Sequence, residues 1–225
     1  MARITNCLLM IFLYCSLLIS SSQHYYCTAA DEHYFSCLIN LIGGIHKHNF
    51  EQLGEIMVFD LGLTQEQRLY LNSIQNLNVY DAEMVNSQML IPFNTQTWGK
   101  YVPGWYTWKA GAIKQALEKY TTILWIDAGT TVNAPLNDLF EHIEYNGYFF
   151  HNGVSWSLQQ ETTQYVLDYF DLQLPLTQWS LNPEIKGVES GLMGLSRSLY
   201  PTIILPMYLL SKNIRNFEDD SKKGI

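Results

Sequence analysis

The sequence predicts an α/β fold, a mostly parallel sheet with helices on both faces, from three observations. From residue 23 onward, short apolar runs alternate with segments whose apolar residues recur at helical spacing, the pattern of parallel strands joined by crossover helices. One run, Ile123-Leu124-Trp125-Ile126, is continuously apolar and stops abruptly at Asp127, as a strand buried on both faces does. The chain has 225 residues, 48% hydrophobic and 15% charged, enough apolar material for a real core and too much for a disordered chain.

The elements follow in order. His24 to Thr28 reads as the first strand, and Tyr34, Phe35, Leu38, Leu41, Ile42 and Ile45 form the apolar stripe of the next helix, with Asp31 as its N-cap. Ile56 to Phe59 is a second strand. Thr64-Gln65-Glu66-Gln67 is a capping-box pattern, in which hydroxyl and amide side chains satisfy the free N–H groups of a new helix, and that helix is expected to run to Ile74. Leu77 to Tyr80 is the third strand. Residues 84–104, with Pro92, Gly99, Pro103 and Gly104, read as a long irregular loop of the kind that often carries function. A helix from Trp105 to Tyr120 leads into the Asp127 strand. Pro135 suits a first helical turn, and Leu136, Leu139, Phe140 and Ile143 make one stripe. Tyr148 to Phe150 is a short strand, Thr162 to Phe170 a helix, Val188 to Leu195 a strand interrupted by Gly191 and Gly194, and Ile203 to Leu210 a helix despite Pro206.

The ends and the charges narrow the function classes. Arg3, the apolar run from Cys7 to Ile19 and the serines Ser20, Ser21 and Ser22 make residues 1–22 a signal-peptide pattern. The run is shorter than the roughly 20 residues of a membrane span. The other reading is an uncleaved anchor through residues 7–19, the only route by which a membrane enters. Either way, the expected site is outside the cell, the periplasm or the secretory-pathway lumen. Residues 23–215 are the expected domain and 216–225 a polar, fraying tail. Removing residues 1–22 also removes Cys7 and Cys15, so Cys27 and Cys37 form no disulfide framework. They could pair, but a strand position followed by a position on the next helix favours buried thiols. A net charge of -8 with no dense basic run argues against nucleic acid as a partner.

In open parallel sheets ligands collect beyond the carboxyl ends of the strands, which brings forward Ala29 to Asp31, Asp60, Asp81, Asp127 and His151. There is no glycine-rich dinucleotide fingerprint, P-loop, G-x-S-x-G elbow or H-E-x-x-H motif, and the six histidines lack zinc spacing. A carboxylate at the mouth of an apolar strand needs a cation, a hydroxyl or N–H groups, although Asp127-Ala128-Gly129 is equally compatible with a turn. Lys109 falls in the middle of the stripe Trp105, Trp108, Ala112, Ile113, Ala116 and Tyr120. There it either reaches a bound phosphate near the helix N-terminus or lays its stem on Trp105 and sends its head to water.

Four segments stand in order along the chain: Ala29-Ala30-Asp31-Glu32-His33-Tyr34, Val58-Phe59-Asp60-Leu61-Gly62-Leu63-Thr64, Thr122-Ile123-Leu124-Trp125-Ile126-Asp127-Ala128-Gly129 with Ala134-Pro135-Leu136 after it, and Val188-Glu189-Ser190-Gly191-Leu192-Met193. From residue 24 to about 200 they resemble the family 8 glycosyltransferases, whose Rossmann-like domain is the GT-A nucleotide-diphospho-sugar transferase fold. The resemblance implies transfer of a sugar from a nucleotide donor, a UDP-sugar first of all, to an acceptor hydroxyl. It implies that Ala29, Asp31, His33 and Tyr34 line the base and ribose pocket, with Tyr34 stacking on the base. Lys109 would replace the basic residue that approaches the donor's diphosphate, and Ser190 and Gly191 would border the donor. Asp127, Lys109 and Glu189 would form the catalytic set. Asp127 would also be the first carboxylate of an Asp-x-Asp motif for Mn²⁺ or Mg²⁺, an ion that neutralises the leaving diphosphate.

The chain departs from the family at three of these positions: Gly129 replaces the second aspartate, His33 the asparagine near the first strand and Glu189 the asparagine of the later strand. It also ends before the family's Asp-Gln segment and C-terminal histidine motif, which implies a short relative or a truncated product. Two further readings stay open. One is a non-catalytic exported relative that binds a nucleotide or glycan. The other is an exported interaction protein, which needs Trp98, Tyr101, Trp105 and Trp108 exposed, whereas an enzyme folds them over the donor pocket.

Overall fold

A computed structural model of the chain describes residues 23–94, 101–157, 166 and 186–217. The apolar runs become strands β1 (His24–Ala30), β2 (Leu53–Asp60), β3 (Leu77–Asp81), β6 (Thr122–Ile126), β7 (Tyr148–Ser157) and β8 (Lys186–Ser196). They form one sheet in the order β3-β2-β1-β6-β8-β7. β3, β2, β1 and β6 are mutually parallel, β8 is antiparallel to β6, and β7 is antiparallel to β8. A short antiparallel pair, β4 (Pro92–Asn94) and β5 (Tyr101–Pro103), stands apart inside the segment expected to be irregular.

Helices cover both faces, as the alternation requires. On one face α1 (Phe35–Asn49), α2 (Gln65–Asn72) and α4 (Asn137–Asn146) deliver Leu38, Leu41, Ile45, Leu71, Phe140 and Ile143 onto Tyr26, Ile56, Val58, Leu124 and Ile126. On the other, α3 (Trp108–Lys119) and α5 (Leu205–Ser211) bring Ala112, Ile113, Ala116, Leu117 and Tyr208 onto Cys27, Met57, Phe59, Ile123 and Trp125. β6 therefore feeds Leu124 and Ile126 to one core and Ile123 and Trp125 to the other, with at most 1% exposure at any of the four. At about 1.5–3 kcal/mol for each fully buried large side chain, this strand is among the best-anchored pieces of the chain.

The local signals held where the physics was local. Thr64 Oγ1 accepts from the Gln67 N–H and the Gln67 side chain accepts from the Thr64 N–H, the expected capping box, but α2 stops at Asn72, before Ile74. Asp31 acts one turn earlier than expected. Its Oδ1 accepts from the N–H groups of His33 and Tyr34, and Tyr34 is the residue that precedes α1. α3 begins at Trp108 because Gly104, Trp105 and Tyr106 all have positive φ, at 51°, 51° and 61°, which no right-handed helix accommodates. The strand expected at Tyr148 to Phe150 extends to Ser157, and the helix expected from Ile203 is a wider π turn over Tyr200–Ile204 that passes into α5. Of the helix expected at Thr162 to Phe170 only Val166 is described, and it is helical; the rest of that segment, residues 1–22 and residues 218–225 lie outside the described residues. Cys27 is fully buried, whereas Cys37 is exposed, contrary to the expectation of two buried thiols, because its place on α1 lies at the margin of the stripe of Leu38, Leu41 and Ile45; both are free thiols. Among the described residues no helix is long and apolar enough to cross a membrane.

Candidate functional site

The chain winds β1, β2 and β3 outward in one direction, then returns through α3 on the opposite face to place β6 on the other side of β1. The carboxyl ends of β1 and β6 thus flank the point where the winding reverses, the crevice in which open α/β sheets bind ligands. Tyr26 pairs with Leu124 and Cys27 with Trp125. Continued by two residues, this register sets Ala29 beside Asp127.

Four of the sequence-predicted residues meet there. Lys109, in the first turn of α3, places Nζ 2.9 Å from Asp127 Oδ1 and 3.2 Å from Oδ2, and donates also to the Ser190 carbonyl at 3.1 Å and the Ser190 hydroxyl at 3.4 Å. Its side chain is only 12% exposed, so it does not lead its head out to water. The rings of Trp125 and Trp108 lie 5.5 and 5.8 Å from the ammonium, within cation–π range. Gly191 closes the group: its carbonyl accepts the Asp127 N–H at 2.8 Å, and a Cβ on it would stand 3.4 Å from Asp127 Oδ2.

Asp127 is therefore more than a turn former, although its carbonyl does accept the Thr130 N–H at 2.9 Å. The structure adds Trp125, whose indole N–H donates to Asp127 Oδ1 at 2.7 Å. Residues two apart on a strand share a face, and that spacing is the signal that could have found this contact.

On the β1 side, Ala29 is buried, while Asp31, His33 and Tyr34 form the turn beyond the strand, with Tyr34 54% exposed. Gly62, at φ 132°, lies under this turn and its carbonyl accepts the Glu32 N–H at 3.2 Å. Tyr106 is exposed beside this site, its ring edge-on to Trp108. Desolvation first, then the charges of Tyr34 and Asp127, raise its phenol above the ordinary tyrosine value. Its left-handed backbone has no signature in the sequence beyond the preceding Pro103-Gly104.

The remaining rim residues separate. Asp60 accepts the N–H groups of Gly62 and Leu63, each at 2.7 Å, and Arg68 joins Asp60 at 2.7 Å to Asp81 at 2.9 Å. These two acids fix the β2–β3 edge and leave the crevice to Asp127. Glu189 is exposed on β8, two residues before Gly191, in register with His151 of β7. Trp108 is 6% exposed and Trp105 half-buried, which removes two members of the exposed aromatic surface that an interaction protein would present; Trp98 and the Tyr101 side chain lie outside the described residues.

At the position expected to hold Mn²⁺ or Mg²⁺, Asp127 supplies one carboxylate and Gly129 stands where a second is expected. Among the described residues no three His, Cys, Asp or Glu side chains converge on a point that could hold a metal. The one carboxylate available already engages an ammonium through both oxygens.

A cleft of about 470 Å³ opens at the opposite edge of the sheet, at the amino ends of β1 to β3, lined by Tyr25, Glu55, Asn78, Lys119 and Tyr120. Its polar groups bond mainly to one another. The buried Glu55 accepts from Asn78 and Tyr80, both at 2.6 Å, from Lys119 at 2.8 Å and from Tyr120. Burial pushes the Glu55 carboxyl up, but the bonds from Lys119, Tyr120, Tyr80 and Asn78 outweigh it and hold the group below the usual carboxylate range.

No family model matches the chain, and no curated protein sequence does. Solved structures do. The mannosyltransferase Ktr4p from S. cerevisiae superposes with a TM-score of 0.59 at 13% identity, over 88% of this chain and 62% of its own. The Mn/GDP form of core-mannan synthase A (CmsA/Ktr4) from Aspergillus fumigatus gives 0.60 at 9%, over 89% and 67%. The galactosyltransferase LgtC, in complex with donor and acceptor sugar analogues, gives 0.54 at 11%, over 86% and 69%. The chain spans 38% of the bifunctional glycosyltransferase WbbM, which it matches with a TM-score of 0.54. At these identities the likeness concerns architecture, and the architecture of this chain is that of the GT-A glycosyltransferases.

Proposed function

We propose that the chain is a glycosyltransferase, of family 8 type by its motifs, that moves a sugar from a nucleoside-diphosphate donor to an acceptor hydroxyl. The observation that carries this reading is the cluster of Lys109, Asp127, Ser190 and Gly191 at the winding reversal of a GT-A sheet. In the reaction the bond from the anomeric carbon to the diphosphate oxygen breaks and its electron pair leaves with the diphosphate. The acceptor oxygen bonds to that carbon, and a nucleoside diphosphate and a proton are released. Ala29, Asp31, His33 and Tyr34 form the base and ribose side of the donor pocket, Tyr34 offering an exposed ring for stacking. Lys109 faces the diphosphate, Asp127 positions Lys109, and Ser190, Gly191 and Glu189 border the sugar. UDP is the expected nucleotide, and residues 1–22 direct the chain to the secretory pathway or the periplasm.

Isothermal titration of the full chain with UDP and with GDP tests the reading, and release of UDP from a panel of UDP-sugars tests turnover. Failure to bind either nucleotide removes the donor assignment. Binding without release on any donor selects the second reading, a non-catalytic relative, which Gly129 in place of a second carboxylate favours.

A further inference from the structure

We propose that Lys109 is the resident cation of this site, so that the chain holds its nucleoside diphosphate without a divalent metal. The inference rests on the nucleotide-sugar reading above and concerns what neutralises the diphosphate. An ammonium has three protons, and here they meet both oxygens of Asp127 and the carbonyl and hydroxyl of Ser190, all within 3.4 Å. Two indole faces wall it in, and its side chain is 12% exposed. A divalent ion on Asp127 would compete with Lys109 for oxygens that both already accept from the ammonium, and without a second carboxylate at position 129 it would have to displace Lys109 from them.

Position 129 makes the same point from the other side. A Cβ on Gly129 would meet nothing within 4 Å, and its φ is not in the left-handed region. Sterics and backbone therefore leave room for a second carboxylate that the chain does not have. The local charges are consistent: Asp127 and Lys109 cancel, and no acid lies in the first turn of α3, which has no side-chain cap, so the positive end of a twelve-residue helix stands beside the ammonium. A diphosphate arriving here takes an ammonium proton in place of the Ser190 hydroxyl, the longest of the four contacts at 3.4 Å, while Asp127 keeps Lys109 in position.

The test is titration of the full chain with UDP and with GDP, in excess EDTA and in saturating MnCl₂, together with the Mn²⁺ electron paramagnetic resonance signal. The expected result is nucleotide affinity within about threefold between the two buffers and no nucleotide-dependent loss of the free Mn²⁺ signal. Lys109→Met should weaken binding in EDTA by roughly ten- to a hundredfold. Lys109→Met combined with Gly129→Asp should take up Mn²⁺ and bind nucleotide in its presence, since the added carboxylate has open space and the competing ammonium is gone. Wild-type affinity that rises about tenfold or more with Mn²⁺, and loses that rise in Asp127→Asn, overturns the inference while leaving the nucleotide reading intact. Absence of binding in both buffers overturns both. The wild-type arms decide the matter alone if a variant fails to fold.

Discussion

Changing Asp127 to Asn keeps the shape of the side chain and removes its charge. With Nζ 2.9 Å from Oδ1, Coulomb attraction amounts to about 3–6 kcal/mol at an effective dielectric of roughly 20–40. Part of that offsets the desolvation of an ammonium that is 12% exposed; Asp127, at 43%, loses less hydration. A net coupling of about 1–2 kcal/mol remains. Asp127→Asn strands the enclosed ammonium on Ser190 and two ring faces, a loss of about 2 kcal/mol, whereas Lys109→Met leaves a carboxylate that still has the Trp125 N–H and water, about 1 kcal/mol. The double variant should therefore be no less stable than Asp127→Asn alone. Urea unfolding of the four proteins measures the cycle, provided the denaturant slope stays constant. In thermal terms each kcal/mol corresponds to a shift of about 2–4 °C for a chain of this size. A coupling below about 0.3–0.5 kcal/mol, the noise of such cycles, would show that the pair is not made in solution and would remove the basis for Lys109 as a fixed cation.

Three other outcomes follow from the packing. Glu55→Leu leaves Lys119, Asn78, Tyr80 and Tyr120 without their common acceptor and should lower stability by about 2–3 kcal/mol; an unchanged urea midpoint contradicts that network. His24 is buried and stacked on Phe140 at 3.9 Å; burial lowers its pKa, with Glu144 partly opposing. The folded chain thus binds this proton less readily than the unfolded chain, so the stability from neutral His24 is full above the unfolded value near 6.5 and drains as pH falls below it. Melting temperature read between pH 7 and 5 should fall less steeply in His24→Phe, and parallel profiles would discount His24. Gly104→Ala drives a methyl into the Met89 backbone at a φ of 51°, which should cost about 3 kcal/mol or more; a variant that melts with wild type would show a different turn at 104–106.

Features that depend on near neighbours in the chain were legible in the sequence. The four apolar residues of β6 had to be a strand with core on both sides, and the Thr64–Gln67 box had to open a helix, since each signal is complete within a few residues. The position of Lys109 on an apolar stripe showed that it needed a partner. Which partner did not show, because Asp127 is 18 positions away and Ser190 is 81. The rim acids illustrate the same limit: Asp60, Asp81 and Asp127 all follow strands, and only the placement of Arg68 reveals that the first two hold each other's edge. β7 runs past Phe150 through Asn152 and Gly153, residues with little strand preference, because β8 supplies the pairing.

The left-handed run at residues 104–106 bears on how this sequence can drift. Glycine adopts such backbone freely, but for Trp105 and Tyr106 it is roughly 1–2 kcal/mol uphill, and Gly or Asn at either place would relieve it. Where stability alone is selected, substitution therefore runs toward glycine or asparagine there. In a lineage that abandons this crevice, positions 105 and 106 are free to lose their aromatic rings, while Ile123 to Ile126 persist because the core needs them.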